Sequence, residues 1–170
     1  PGIEPAGSVE GVAHHPRAGH NPVRVRLLGH RGHLPGSAVA DFISAHADAL
    51  AGKIIIDTTN NPRSAEMNSL ALLADKVPTA RLVRAFTTLG WENFERPEID
   101  GVQLDLFYCA HPAAQSEAEE LIKGVGLRPI YLGGLEAVEI LDGLTRVWFT
   151  LAFGQGFGRR IAFKLLAEHK

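Results

Sequence analysis

The sequence predicts an α/β fold with a doubly wound parallel sheet, N-terminally incomplete and followed by a C-terminal helical extension. Three observations carry this expectation. From Leu34 onward, short β-rich runs bounded by turn residues alternate with helical patterns of ten or more residues, the rhythm of parallel strands joined by helical crossovers. Lys53-Ile54-Ile55-Ile56-Asp57 is a continuous apolar run, as expected of a strand covered by helices on both faces. At 170 residues and 45% apolar, the chain can bury one core without disulfides or metals.

The elements follow in order. Val23 to Leu28 alternates in the manner of a half-buried strand. Gly36 or Ser37, just after Pro35, caps a helix to about Leu50, with Val39, Phe42, Ile43 and Ala47 on its apolar face, and Gly52 stops it. The Lys53–Asp57 strand comes next, then loop text from Thr58 to Arg63. Ser64 opens a second helix to about Asp75, with Met67, Leu70, Ala71 and Ala74 facing inward, and Pro78 closes that unit. Arg81 to Phe86 form a strand, Thr87 to Pro97 an irregular stretch, and Leu104 to Cys109 another strand. Pro112 starts a helix to about Lys123, ended by Gly124 and Gly126, before a last strand from Pro129 to Leu132. The rest, from about Leu135 to His169, is helical in pattern apart from Gly154, Gly156 and Gly158. The expected organisation is an irregular segment over 1–33, a partial dinucleotide-binding type domain over 34–133 and a helical extension over 134–170.

The first 33 residues differ from the rest. They hold five of the eight histidines (His14, His15, His20, His30 and His33), four Arg, six Gly and no Lys. Gly/Pro/Arg-rich text without cysteine is a poor frame for zinc, which wants three or four ligands at set spacings on ordered elements, so no metal is expected. Over the whole chain, 17 Lys plus Arg against 19 Asp plus Glu leaves no basic footprint for nucleic acid. No run approaches the roughly 18 apolar residues of a membrane span, and residues 1–20 lack the apolar centre of a signal peptide. Cys109, the single cysteine, lies in an apolar run and reads as buried packing. The expectation is a cytoplasmic protein whose partners are small molecules.

In an open α/β sheet, ligands lie beyond the carboxyl ends of the strands. That directs attention to the loops after Leu28, Asp57, Phe86 and Cys109. Asp57-Thr58-Thr59-Asn60-Asn61-Pro62 offers hydroxyls and amides to a ribose or a nicotinamide amide, although the same residues make ordinary polar turns. Phe86-Thr87-Thr88-Leu89-Gly90-Trp91 adds hydroxyls and an aromatic, with strand-end packing as its plain alternative. Gly154-Gln155-Gly156-Phe157-Gly158 follows a helical stretch, not a strand, and so is not a phosphate loop. Arg159-Arg160 reads as a solvated helix face or, less simply, an anion contact. No catalytic triad, no paired carboxylates and no catalytic residue emerge; Glu117, Glu119 and Glu120 read as the wet face of a helix.

Four further pieces stand in order: Leu34-Pro35-Gly36-Ser37-Ala38-Val39, Gly52 to Asn60, Val83-Arg84-Ala85-Phe86-Thr87-Thr88-Leu89-Gly90, and Leu151 to Leu166. From Leu34 to the C-terminus the text resembles the coenzyme F420-dependent NADP oxidoreductase family. The resemblance implies a Rossmann-like fold and hydride transfer between NADP(H) and a deazaflavin. It implies that Pro35, Gly36, Thr59, Asn60, Phe86 and Thr87 line the NADP side, and that the C-terminal helices help build the side for coenzyme F420. Thr87 stands where that family usually has Asn. The family's Gly-x-Gly-x-x-Gly turn and the strands around it do not appear in residues 1–33, which read as foreign text of the kind a reading-frame slip or a misassigned start produces. Loss of that pyrophosphate grip implies weakened NADP binding and an exposed sheet edge that favours a homo-oligomer. The alternative expectation is a non-catalytic binding or assembly module; a relative acting on a small imine or ketone ranks below both.

Overall fold

The computed structural model describes residues 26–28 and 36–168. Seven strands and five α-helices alternate: β1 (Arg26–Leu28), α1 (Gly36–Leu50), β2 (Ile54–Asp57), α2 (Leu70–Lys76), β3 (Arg81–Arg84), α3 (Glu92–Glu95), β4 (Glu98–Ile99), β5 (Val102–Gln103), β6 (Asp105–Ala110), α4 (Gln115–Gly124), β7 (Arg128–Gly133) and α5 (Val138–Phe149). One 3₁₀ turn, Pro112–Ala114, precedes α4, another, Leu135–Ala137, precedes α5, and a π-helical turn, Thr150–Gly154, continues α5. Five strands form one sheet in the order β1-β2-β3-β6-β7.

The alternation of apolar residues explains the layering. Ile54 and Ile56 turn to one side of the sheet with Val83, Leu106 and Tyr108, where Ala118 and Ile122 of α4 cover them. Ile55 turns to the other side with Leu82 and Cys109, under Ile43 of α1, Leu73 of α2 and Leu141 of α5. The result is the α/β, Rossmann-like, helix–sheet–helix architecture expected of the sequence. The expected inner face of α1, Val39, Phe42, Ile43 and Ala47, packs into that second core.

Four differences from the sequence expectation have physical causes. The sheet is mixed: β1, β2 and β3 run parallel and so do β6 and β7, but β3 and β6 pair antiparallel through Val83–Ala110 and Arg84–Cys109. Between β3 and β6 lie only the four-residue α3 and the β4–β5 hairpin, so no long crossover helix carries the chain back to the edge where β3 began. The loop after Cys109 therefore opens at the opposite edge from those after Asp57 and Phe86. Its His111 lies beside the start of β3, the backbone N–H donating to the Leu82 carbonyl at 2.9 Å and Nδ1 accepting the Leu82 N–H at 3.1 Å.

The second difference is that α2 begins at Leu70, not Ser64, and buries Leu70 and Leu73 while Ala71 and Ala74 are exposed. Met67 is buried as expected, but from the loop. Third, the hairpin at Asp100-Gly101 was not expected. Its two turn residues have φ of +51° and +76°, the two-residue turn with both central φ positive that an Asp-Gly pair favours. Fourth, helix ends at Gly154, and residues 155–168 form a non-helical arm. No helix among the described residues is long and apolar enough to cross a membrane.

Candidate functional site: two loops on a buried arginine

β1, β2 and β3 end level, Leu28 beside Asp57 and Asp57 beside Arg84, so the loops after β2 and β3 emerge side by side. Under them lies a charge network. Arg84 is fully buried at the end of β3, with Nε and Nη2 donating to Oδ1 of Asp142 on α5 at 3.0 and 2.9 Å. Nη1 donates to the Thr59 carbonyl at 2.5 Å, and Nη2 to Oδ1 of Asn60 at 3.1 Å. A guanidinium presents its donors in a rigid planar fork, which suits this task of fixing one backbone loop and one carboxylate together.

The two carboxylates are themselves satisfied. Asp57 stands 3.7 Å from Nη1 of Arg84 and accepts the Thr59 N–H (2.9 Å), the Thr59 hydroxyl (2.6 Å) and the Ser69 N–H (2.7 Å). Asn68 donates to Oδ2 of Asp142 at 2.7 Å. One cation and two anions are buried here, and the amide and hydroxyl donors offset the excess negative charge. The Asp57–Asn60 loop is thus held on a frame of ionic hydrogen bonds.

The second loop adjoins it. Phe86, two residues past the end of β3, has φ of +61°, a left-handed conformation uncommon for a residue with a Cβ and often found at functional sites. Its ring meets Phe94 edge-on at 5.4 Å. The Thr87 and Thr145 hydroxyls hydrogen-bond at 3.0 Å, which ties this loop also to α5. Thr88 is buried, and among the described residues its Oγ1 is the buried side-chain polar atom with no partner. Trp91, at the loop's end, is 41% exposed.

Of the six expected site residues, Thr59, Asn60, Phe86 and Thr87 come together on this edge, and Gly36 begins α1 at the same edge. Pro35 lies outside the described residues. The Thr59 hydroxyl gives its proton to Asp57 and the Thr87 hydroxyl bonds Thr145, so both shape the loops from within. Arg84, Asp142 and Asn68 are the residues that sequence reading missed. An arginine among the apolar residues of a buried strand was the available signal, since such a charge is almost never fully buried without a partner.

The C-terminal arm is held by two anchors. Arg160 donates to Asn93 Oδ1 at 2.9 Å and to the Arg96 and Glu98 carbonyls at 2.8 Å each, while Arg159 pairs with Glu92 at 2.9 Å. The arginine pair is thus neither helical nor an open anion contact. Further along, buried Asp105 takes two bonds from Arg128 (2.7 and 2.6 Å), one from Lys164 (2.7 Å) and one from the Leu165 N–H (2.8 Å). Burial alone would raise the Asp105 carboxyl; the hydrogen bonds from Arg128, Lys164 and Leu165 outweigh it and hold it below the ordinary carboxylate range. Gly154-Gln155-Gly156-Phe157-Gly158 joins the π-helical turn to this arm and lacks the strand–turn–helix setting of a phosphate loop. Cys109 is buried, which with the nearby Asp142 carboxylate pushes its thiol up to about 11 and makes it inert. Among the described residues, no group of His, Cys, Asp and Glu could hold a metal ion.

Comparison with known proteins places the fold. No protein-family model matches the chain, and no curated protein matches it significantly. Among solved structures it is similar to a provisionally named F420-dependent NADP reductase from Arthrobacter sp. FB24, at 25% identity and a TM-score of 0.65 over 77% of this chain and 66% of that one. It is also similar to the hypothetical protein SMa0349 from Sinorhizobium meliloti, at 27% identity and a TM-score of 0.53 over 66% of this chain and 58% of that one. The chain therefore spans less than two thirds of the length of each.

Proposed function

We propose that this chain is part of an NADP-linked oxidoreductase that moves a hydride between NADP(H) and a deazaflavin such as coenzyme F420. The observation that carries this reading is the meeting of the Asn60 loop and the Phe86–Thr87 loop at adjoining carboxyl ends of parallel strands, both fixed to α5 through Arg84–Asp142 and Thr87–Thr145. Ligands of open α/β sheets bind at this place, and the reductase from Arthrobacter lends the cofactor its name. The residues fit a nicotinamide. Asn60 commits its carbonyl oxygen to Arg84, which leaves its –NH₂ to donate to a carboxamide. In the second loop, Thr88 carries an orphaned hydroxyl. The N–H groups at the start of α1 suit a phosphate.

When bound, the dihydronicotinamide would supply the hydride. The chain's part is positioning: two rings held face to face in a dry cleft need no acid or base from the protein. Calorimetric titration of the whole chain with NADPH tests the reading. Binding is expected, with Asn60→Ala weakening it about tenfold, the effect of one lost hydrogen bond of about 1.4 kcal/mol. Mixing the NADPH complex with oxidised F420 should then bleach the deazaflavin; bound NADPH with no bleaching would remove F420 as the second substrate.

A second reading rests on one observation: the Thr59 and Thr87 hydroxyls are spent on internal bonds. The chain would then be a non-catalytic binding or assembly module that keeps the frame without the cofactor. Absence of heat at millimolar NADPH would favour it and overturn the first.

A further inference from the structure

Residues 92–98, which follow the second loop, present four oxygens to one guanidinium of the C-terminal arm. Arg160 donates to Asn93 Oδ1 at 2.9 Å, to the Arg96 and Glu98 carbonyls at 2.8 Å each and to the Glu92 carbonyl at 3.3 Å. Three of these acceptors are backbone carbonyls and the fourth is a side-chain amide. α3 is only four residues long and satisfies few of its own carbonyls, so the arm brings the missing donors from outside. Asn93 is fully buried and grips the arm with both ends of its amide, since its Nδ2 donates to the Arg159 carbonyl at 3.0 Å. The approach is close. A Cβ on Gly90, the residue before Trp91, would stand 2.7 Å from that same carbonyl oxygen.

From this clamp a short route leads to the strained residue of the loop. Asn93 and Arg96 flank Phe94, whose ring meets Phe86 edge-on at 5.4 Å, and Ala162 of the arm packs on the same core as both rings. A residue with a Cβ stays in the left-handed region only where its surroundings hold it there. Phe86, at φ of +61°, rests on Phe94, and Phe94 stands in the chain between two of the arm's anchor points.

We propose that Arg160 is a positioning residue for the Phe86–Trp91 loop: the seated arm holds that loop in the shape that receives a ligand, and arm and ligand strengthen each other. The ligand half of this statement rests on the reading of the loop as one wall of the cofactor site. Linkage makes the coupling reciprocal. Whatever the loop binds should tighten the arm by the same factor by which the arm tightens its binding.

Fluorine NMR of the full chain carrying fluorotryptophan separates loop from arm. Trp91 ends the loop, and Trp148 reports the arm, because its Nε1 donates to the Ile161 carbonyl at 3.3 Å. In Arg160→Met both resonances should shift without any ligand. Millimolar guanidinium chloride, which can refill the cage of four oxygens, should return Trp91 toward its wild-type position, and tetramethylammonium chloride should not. The wild type, its cage already filled, should respond to neither salt. Titration with NADPH should then show binding about tenfold weaker in Arg160→Met, recovered by guanidinium. Lys164→Met, which loosens the arm at its far anchor on Asp105, should move Trp91 in the same direction but less, and carries the test if Arg160→Met fails to fold. A Trp91 resonance that stays put while Trp148 moves, or a shift that guanidinium leaves unreversed in Arg160→Met, would overturn the proposal. If Trp91 responds to Arg160→Met and to guanidinium but neither protein responds to NADPH, the arm's hold on the loop stands and the NADP reading falls.

Discussion

Arg84 fixes more of the candidate site than any other side chain. It bonds the Thr59 carbonyl, the Asn60 side chain and Asp142, and so couples one loop to α5 through a single planar group. Removing it leaves Asp57 and Asp142 buried without their cation. Arg84→Met is expected to cost about 3–5 kcal/mol in urea denaturation, the usual consequence of breaking a buried ion pair from one side. Arg84→Lys keeps the charge but not the fork, and should recover only a small part of that loss. Because Arg84 holds the Thr59 carbonyl and the Asn60 side chain, any ligand that the Asn60 loop holds should bind more weakly in both variants.

At the scale of elements, the sheet core was legible and the reversal within it was not. Ile54 to Asp57 announces a strand covered on both faces because four consecutive buried residues leave no polar alternation. Antiparallel pairing of β3 with β6 leaves no such trace, since direction depends on how the chain returns rather than on which residues are apolar. The Asp100-Gly101 hairpin was legible in principle, from a dipeptide with a specific turn preference, but each of its strands is only two residues long. The arm was misread because apolar Ile161, Phe163, Leu165 and Leu166 fall at spacings a helix would also use. Two predictions belong to this arm. A Cβ at Gly90 would stand 2.7 Å from the Arg159 carbonyl oxygen, so Gly90→Ala should loosen the arm at a cost of about 1–3 kcal/mol, seen as faster amide exchange over 159–165. Asp105 has a depressed carboxyl value, so its contribution is present above the unfolded value near 3.9 and is lost as pH falls through the lower folded value. Amide exchange at Leu165 should therefore accelerate on acidification below about pH 4, and Asp105→Asn should show the fast exchange already at neutral pH.

For the whole molecule, two cores lie on opposite faces of one sheet. Leu73→Ala, under α2, and Ile122→Ala, on α4, should each cost about 2–5 kcal/mol. With no shared partners across the sheet, the two losses should add to within about 0.5 kcal/mol in chemical denaturation. The ladder between the two halves of the sheet has two residue pairs, Val83–Ala110 and Arg84–Cys109, extended by the Leu82–His111 bonds, against four pairs between β2 and β3. A tensile load drawn across the strands would concentrate on that short ladder. The molecule has a built-in line of mechanical weakness between β3 and β6, and under force it should part there into two blocks, each still holding its parallel strands.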